Sequence, residues 1–293
     1  MKPLKFRLTE MSQQLNTPLY VIEKDYLLSH LLANIAQQPV LSNVVIFKGG
    51  TALKKMYFGK YRFSEDLDFS TVNAPDSEVF TQLLNDVIQN TQQSLHAYGQ
   101  FKLNIKKKAE RSPHPFGQQA FIINAQFPWH SSPQCNVKFE FTHDEPILLK
   151  PILLPIIHEY EDPIDAKLFC YTLEEIIAEK MRALLQTHRN LIERGWNRPR
   201  ARDYYDLWHL LTSYEQQINV ELLSNILKPK CAHRQVSYQS IDDFFTDKLI
   251  QEAKQHWQSN LGNFVIGLPN CEDILQQTRT LLLKVLPELR EPA

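Results

Sequence analysis

The sequence predicts an α/β (α+β) half followed by an all-helical half. Three observations carry this. Strand-type apolar runs alternate with helical stretches up to about residue 165. Beyond that point only helical periodicity continues, with Pro163 and its polar surroundings marking the change. Between the first two strand runs stands a glycine pair, Gly49-Gly50, with an acidic pair following on the second run.

The elements follow in order. Thr17 can cap a helix that begins at Pro18 and carries Leu19, Ile22, Tyr26, Leu27 and Leu31 at helical spacing. A β-type run, Val44-Val45-Ile46-Phe47, stops at the glycines. A short helix is expected from Thr51 to Tyr57, ended by Gly59, and a strand over 62–72. Asp76 or Ser77 opens a long helix bearing Val79, Phe80, Leu83, Leu84, Val87 and Ile88. Strands are expected over 101–107, 120–127 and 135–142. The last alternates, with Val137, Phe139 and Phe141 on one face and Lys138, Glu140 and Thr142 on the other. Helices are expected over 172–190, 200–213, 217–227, 241–258 and 271–286. The domain division is read as 1–165 and 166–293.

At 293 residues, 43% apolar and 22% charged, the chain can bury an ample core and has an ordinary globular composition. No apolar run reaches bilayer length, and the start MKPLKFRLTE lacks a signal-peptide stretch, so no membrane partner is expected. Cys135, Cys170, Cys231 and Cys271 have no paired spacing, which argues against a zinc site or disulfide framework and suits the cytoplasm. The net charge of −1 gives no global field for nucleic acid. Two basic clusters are local: Lys106, Lys107 and Lys108, and the group Arg189, Arg194, Arg198, Arg200 and Arg202. Each is either a solvated loop or a phosphate-backbone contact surface.

The glycine pair lets backbone approach a ligand closely, and the amides that follow open a helix, a ready phosphate site. Thr51 offers a hydroxyl to the same phosphates. Asp66 and Asp68, two apart on a strand, point to one face while Leu67 and Phe69 point into the core. Two such carboxylates repel each other unless a cation lies between them. An oxygen-only site of this kind suits Mg²⁺ (or Mn²⁺), held through few carboxylates plus substrate phosphates. Two ions there can serve in-line displacement at phosphorus.

The stretch FKGGTALKKMYFGKYRFSEDLDFS (47–70) closely resembles the AbiEii/AbiGii toxin family of nucleotidyltransferases and the wider polymerase-β-like pattern of a glycine pair followed by D-x-D. IEKDYLLSHLL (22–32), TLEEIIAEKMRAL (172–184) and ARDYYDLWHLL (201–211) extend the resemblance over most of the chain. It implies a polymerase-β-like mixed sheet with flanking helices and a helical C-terminal domain that completes the active site. It also implies the toxin half of a type IV toxin–antitoxin or phage-defence (abortive infection) pair, with a cognate antitoxin. The implied activity is transfer of a nucleoside monophosphate from a nucleoside triphosphate to RNA, the tRNA 3′ end being favoured. Alternatives are a protein or small-molecule acceptor, or a non-catalytic nucleotide-binding module.

Further candidates surround this motif. Lys180 falls inside the apolar stripe Leu173, Ile176, Ile177, Leu184 and Leu185, where a lysine must snorkel or meet an anion. It matches the family's active-site lysine; Arg182 lies off the stripe and is weaker. Asp203 and Asp206 share a helix face, and the resemblance implies a catalytic aspartate there, Asp203 being favoured. Glu140 is either a third metal-binding carboxylate or an ordinary strand glutamate. Lys48, Arg62 and Ser64 flank the motif as nucleotide-binding candidates. Trp196 could stack on a base or anchor its loop. Glu23, Lys24 and Asp25 match the family helix without an evident role.

Overall fold

The computed structural model describes residues 2–109, 117–196, 198–286 and 289. The chain divides into two compact units, Met1–Tyr171 and Thr172–Ala293. The boundary read from sequence at 165 precedes a strand, Lys167–Cys170, that pairs within the sheet of the first unit.

The first unit runs α1 (Leu4–Gln14), α2 (Leu19–Gln37), α3 (Leu41–Val44), β1 (Val45–Lys48) and α4 (Gly49–Ala52), which continues as a π-helical stretch over Leu53–Phe58. Then come β2 (Asp66–Thr71), α5 (Ser77–Leu95), β3 (Lys102–Lys107), β4 (Gln118–Gln126), β5 (Cys135–Thr142), β6 (Ile152–Pro155) and β7 (Lys167–Cys170). Among the described residues these strands form one mixed sheet in the order β3-β4-β5-β2-β1-β7-β6. β2 is antiparallel to β1 and parallel to β5.

Strand alternation gives this sheet two unlike faces. Phe47, Leu67, Phe69, Phe121, Phe139 and Phe141 share one face and are buried. Phe69 stacks on Phe141 with centroids 5.1 Å apart, and Phe80 of α5 meets Phe141 edge-on at 4.8 Å. Helices α2 and α5 pack with each other, α2 against β5 and α5 against β3. Each ring buried in this way contributes about 1.5–3 kcal/mol. Asp76 caps α5 by accepting from the amides of Glu78 and Val79.

Several expectations are corrected. The strand expected over 62–72 starts only at Asp66: 62–65 form no regular element, and Arg62 and Ser64 instead lie against Gly50 and Thr51. Thr17 does not cap α2: Pro18 is the N-cap, and the Thr17 hydroxyl donates to the carbonyl of Leu15. α1, β6 and β7 were not read from sequence; β6 and β7 are four residues each, too short for a period to declare itself.

Buried polar networks tie α2 to the rest of the unit. Lys55 of the π-helical stretch donates to Asp25 Oδ2 at 2.7 Å and to Ser29 Oγ at 2.9 Å, and Tyr160 donates to the same Asp25 oxygen at 2.9 Å. Burial would raise the Asp25 pKa, but Lys55 and Lys54 overcome this and hold it below the usual value. Asp162 accepts from Arg7 at 3.0 Å and from Tyr26 at 2.9 Å, with His30 Nε2 3.1 Å away.

The second unit contains α6 (Leu173–Arg194), α7 (Ala201–Ser213), α8 (Val220–His233), α9 (Asp247–Leu261) and α10 (Cys271–Val285). Thr172 caps α6 by accepting from the Glu175 amide, and Gly195 ends it at φ +74°, the left-handed geometry glycine tolerates. Lys230 of α8 is fully buried between Glu175 and Glu179 of α6, at 2.8 and 3.1 Å.

Breaking the Asp25–Lys55 pair strands a buried charge. Lys55→Met should therefore cost about 3–5 kcal/mol, whereas the double change Asp25→Leu with Lys55→Met should recover most of that loss. Urea unfolding of the three proteins measures both.

Candidate active site

The acidic pair stands on the polar face of the sheet. Register places Lys48 of β1, Asp68 of β2 and Glu140 of β5 in one row across three strands, and Asp66 beside Lys138 in the next. Directly paired residues share a face, so these side chains project together, opposite the phenylalanine layer. Asp66 and Asp68 are both partly exposed, while Leu67 and Phe69 between and after them are fully buried.

The glycine pair fits against this row. Gly49 follows Lys48 directly and has φ +81°. A Cβ on Gly49 would lie 2.6 Å from Asp68 Oδ2, and one on Gly50 would collide with the Arg62 guanidinium. The absence of both side chains therefore admits the Asp68 carboxylate and Arg62 to the backbone of the turn. Thr51 closes the arrangement: its hydroxyl donates to the Asp66 carbonyl at 2.5 Å and lies 2.7 Å from Ser64 Oγ. Thr51 and Ser64 are buried. Sequence reading gave the Thr51 hydroxyl to phosphate; here it is turned inward and locks the start of α4 to β2, leaving the backbone of the turn as the phosphate candidate. Lys48 is also buried, its ammonium 5.5 Å from the centre of the Tyr171 ring. Arg62 donates to the Phe63 carbonyl at 3.2 Å.

Glu140 is held by Lys138 at 2.7 Å and by the Gln118 amide at 2.5 Å. With Asp66 and Asp68 it gives three carboxylates on one face of adjacent strands, a candidate oxygen-only donor set. That donor chemistry suits a hard divalent cation such as Mg²⁺. Among the described residues the group whose ligand atoms lie within 4.8 Å of one another is a different one, His30, His158 and Asp162. Its carboxylate already accepts from Arg7 and Tyr26.

In the second unit, Lys180 meets anions rather than snorkelling. Its ammonium lies 2.9 Å from Asp203 Oδ1 and 2.6 Å from Asp206 Oδ2. Asp206 is fully buried, whereas the Asp203 side chain keeps some exposure and also meets Arg200 at 3.3 Å. Burial would raise the Asp203 pKa, but Lys180 and Arg200 outweigh it and hold the carboxyl below its usual range. Arg182 is buried and donates to Gln186 at 2.6 Å.

The arginine group is not an uncommitted surface. Arg189 donates to the carbonyls of Arg234 and Gln235, Arg200 to Thr187, and Arg202 to the Asn260 carbonyl while lying 4.5 Å over the Phe264 ring. These three bind elements of their own unit together; Arg194 and Arg198 are exposed, as is Trp196 at 69%. Residues without a role in sequence now have one. Lys24 pairs with Glu65 at 3.0 Å, next to Asp66, and Glu23 accepts from Trp129 at 2.7 Å. Tyr171, missed altogether, lies 2.6 Å from Ser70 Oγ on β2 through its hydroxyl; a lone tyrosine after a short strand carried no signal.

Comparison with known proteins follows this geometry. The profile of the family described as nucleotidyl transferase AbiEii toxin, type IV TA system, matches residues 30–280. No curated protein sequence matches the chain. Among solved structures, the nucleotidyltransferase toxin MenT4 of Mycobacterium tuberculosis is similar, with a TM-score of 0.58 and 20% identity over 91% of this chain and 84% of that one. An H. pylori protein put forward as a nucleotidyltransferase is similar at a TM-score of 0.56 and 19% identity, over 92% of this chain and 96% of that one. These likenesses show a shared fold: a mixed α/β sheet unit followed by a helical unit.

Two outcomes are expected. Gly49→Ala should cost about 1–2 kcal/mol in thermal or urea unfolding, from the left-handed backbone, and should reduce any activity of the site by about 100-fold or more by displacing Asp68. For Asp203, the folded pKa is depressed, so its stabilisation is full above the ordinary value of 3.8 and is lost as pH falls through the lower folded value. The stability gap between the wild type and Asp203→Asn, read by urea unfolding at a series of pH values, should be widest near neutrality and close below pH 3.8.

Proposed function

Because the chain belongs to the nucleotidyl transferase AbiEii toxin family of type IV toxin–antitoxin systems, we propose that it transfers a nucleoside monophosphate from a nucleoside triphosphate to an RNA acceptor, the tRNA 3′ end being the favoured target. The observation that carries the reading is the placement of Asp66 and Asp68 beside a side-chain-free turn at Gly49 and Gly50. The bond formed joins an acceptor hydroxyl oxygen to the α-phosphorus. The bond broken releases pyrophosphate, and the hydroxyl proton passes to a base or to water.

In this reading the backbone at Gly49 and Gly50 receives the phosphates, with Arg62 and Lys48 supplying positive charge nearby. Asp66, Asp68 and Glu140 would hold Mg²⁺ (or Mn²⁺), which when bound offsets charge on the phosphates. Glu140, braced by Lys138 and Gln118, would either complete the cation site or accept the acceptor proton. Thr51 and Ser64 position the turn. Lys180 and Asp203 are proposed as residues the reaction requires. A cognate antitoxin would oppose the toxicity, by contact or by genetic antagonism alone.

Purified protein incubated with each labelled triphosphate, magnesium and total cell RNA should place label in the tRNA fraction. Asp68→Ala should lower transfer by a factor of about 1,000 or more and relieve growth inhibition on expression; Lys180→Ala should lower transfer by about 100-fold or more. Label appearing only in protein would overturn the acceptor assignment. Undiminished toxicity of Asp68→Ala would overturn the enzymatic one.

A further inference from the structure

In-line displacement at phosphorus puts the entering and leaving oxygens on opposite sides of the reacting atom. On this sheet the two sides are distinguishable. The glycine turn that would receive the departing phosphates follows β1, on one side of Asp66 and Asp68. The acceptor then arrives from the other side, over β5, β4 and β3.

That side of the sheet has a definite chemistry. Register carries the polar face outward from Asp66 through Lys138 on β5 and Ile122 on β4 to Lys106 on β3. The row beyond it holds Asn136, Asn124 and Asn104, and the next joins Gln126 to Lys102. Lys102, Asn104, Lys106 and Asn136 are exposed. Neither β3 nor β4 contains an acidic residue. Three strand spacings separate β2 from β3, about 14 Å in all, a path long enough for the last few nucleotides of a single strand. Lysine with asparagine and glutamine amides is the side-chain set that holds a sugar–phosphate backbone. A protein-binding face would instead centre on aromatic or large apolar side chains, and here the apolar members are only the half-buried Ala120 and Ile122.

We propose that the polar face of β3, β4 and β5 is the acceptor track: it binds the single-stranded 3′ end of RNA through Lys102, Lys106 and the asparagine row, and leads its terminal hydroxyl to Glu140 and the acidic pair. The proposal rests on the nucleotidyltransferase reading for the chemistry at the end of the track, but the binding it assigns stands apart from turnover. It also moves the expected RNA contact away from the arginine group, three of whose members are engaged within their own unit.

β3 itself provides the control. Lys107 neighbours Lys106 but points to the opposite face, where it donates to Ser77 of the α5 end at 2.8 Å. Lys102→Glu with Lys106→Glu, and separately Lys107→Glu, would be made in the full chain. Fluorescence anisotropy with a labelled single-stranded RNA oligonucleotide bearing a free 3′ hydroxyl reads binding; the transfer assay reads KM for RNA and for the triphosphate. The double variant should bind RNA at least about 10-fold more weakly. It should also flatten the slope of log affinity against log salt by about 1.4, as expected for two lost phosphate contacts on a single strand. Its KM for triphosphate should stay unchanged, and Lys107→Glu should bind RNA like the wild type. The proposal is overturned if the wild type fails to bind the oligonucleotide, if the double variant binds it as the wild type does, or if Lys107→Glu loses as much as the double variant. Labelling of a protein acceptor that depends on Lys102 and Lys106 also overturns it. Lysine-dependent RNA binding by a wild type that transfers no nucleotide would uphold the track and remove the nucleotidyltransferase reading instead.

Discussion

The site depends on one steric fact: Gly49 has no side chain where the Asp68 carboxylate lies. A Cβ at that point would sit 2.6 Å from Oδ2, so the close approach of turn and strand exists only with glycine there. The left-handed backbone of Gly49 imposes the same choice a second time. From this contact the remaining geometry follows. β1 and β2 pair in the register Lys48↔Asp68, the Thr51 hydroxyl bonds the Asp66 carbonyl, and α4 starts at a fixed height above the strand. Beneath the row, the packed rings of Phe47, Phe69, Phe139 and Phe141 prevent the strands from sliding, since a one-residue slip would put phenylalanines in water and aspartates in the core. The acidic pair is therefore placed by packing on the face it does not occupy.

Charges buried around α2 act on position more than on stability. Removing Asp25 and Lys55 from water is costly, and the pair offsets that cost through added bonds, from Lys55 to Ser29 and from Tyr160 to Asp25. What the arrangement yields is registry: α2 is fixed to the segment that leaves the glycine turn, while Lys24 on the same helix reaches Glu65, one residue before Asp66. Three consecutive residues, Glu23, Lys24 and Asp25, thus hold three separate parts of the unit, at Trp129, Glu65 and Lys55. Helical spacing permits this, because consecutive side chains leave a helix in different directions.

The parts legible in sequence were those with long periods or unusual residue pairs. β5 was read to its ends, because alternation over eight residues leaves little freedom, and the α6 lysine was conspicuous because it interrupted an apolar stripe. β6 and β7 escaped because four residues carry no period, and β7 is what extends the first unit to Tyr171. The inward turn of Thr51 escaped because a hydroxyl after a glycine pair reads equally as a ligand or as a brace. The engagement of Arg189, Arg200 and Arg202 escaped because a run of arginines looks the same whether its partners are carbonyls or solvent; only folding supplies the partners.

Charge balance at the acidic row has a consequence for order of binding. Asp66, Asp68 and Glu140 face Lys48, Arg62 and Lys138, three carboxylates against three cations, with Lys138 already spent on Glu140. Such a row neither attracts nor repels a polyphosphate strongly. A triphosphate brought alone would meet Asp68 at the mouth of the turn, and the repulsion would offset what Arg62 and the backbone contribute. On the proposed reading, a triphosphate that carries divalent cations would meet the carboxylates as ligands instead. Nucleotide and cation are therefore expected to bind with positive coupling. The lysines of β3 sit too far along the sheet to substitute for the cations at the turn. On the proposed reading their field would act on the other polyanion, so that donor and acceptor would be drawn to opposite ends of one polar face, with the acidic pair between them.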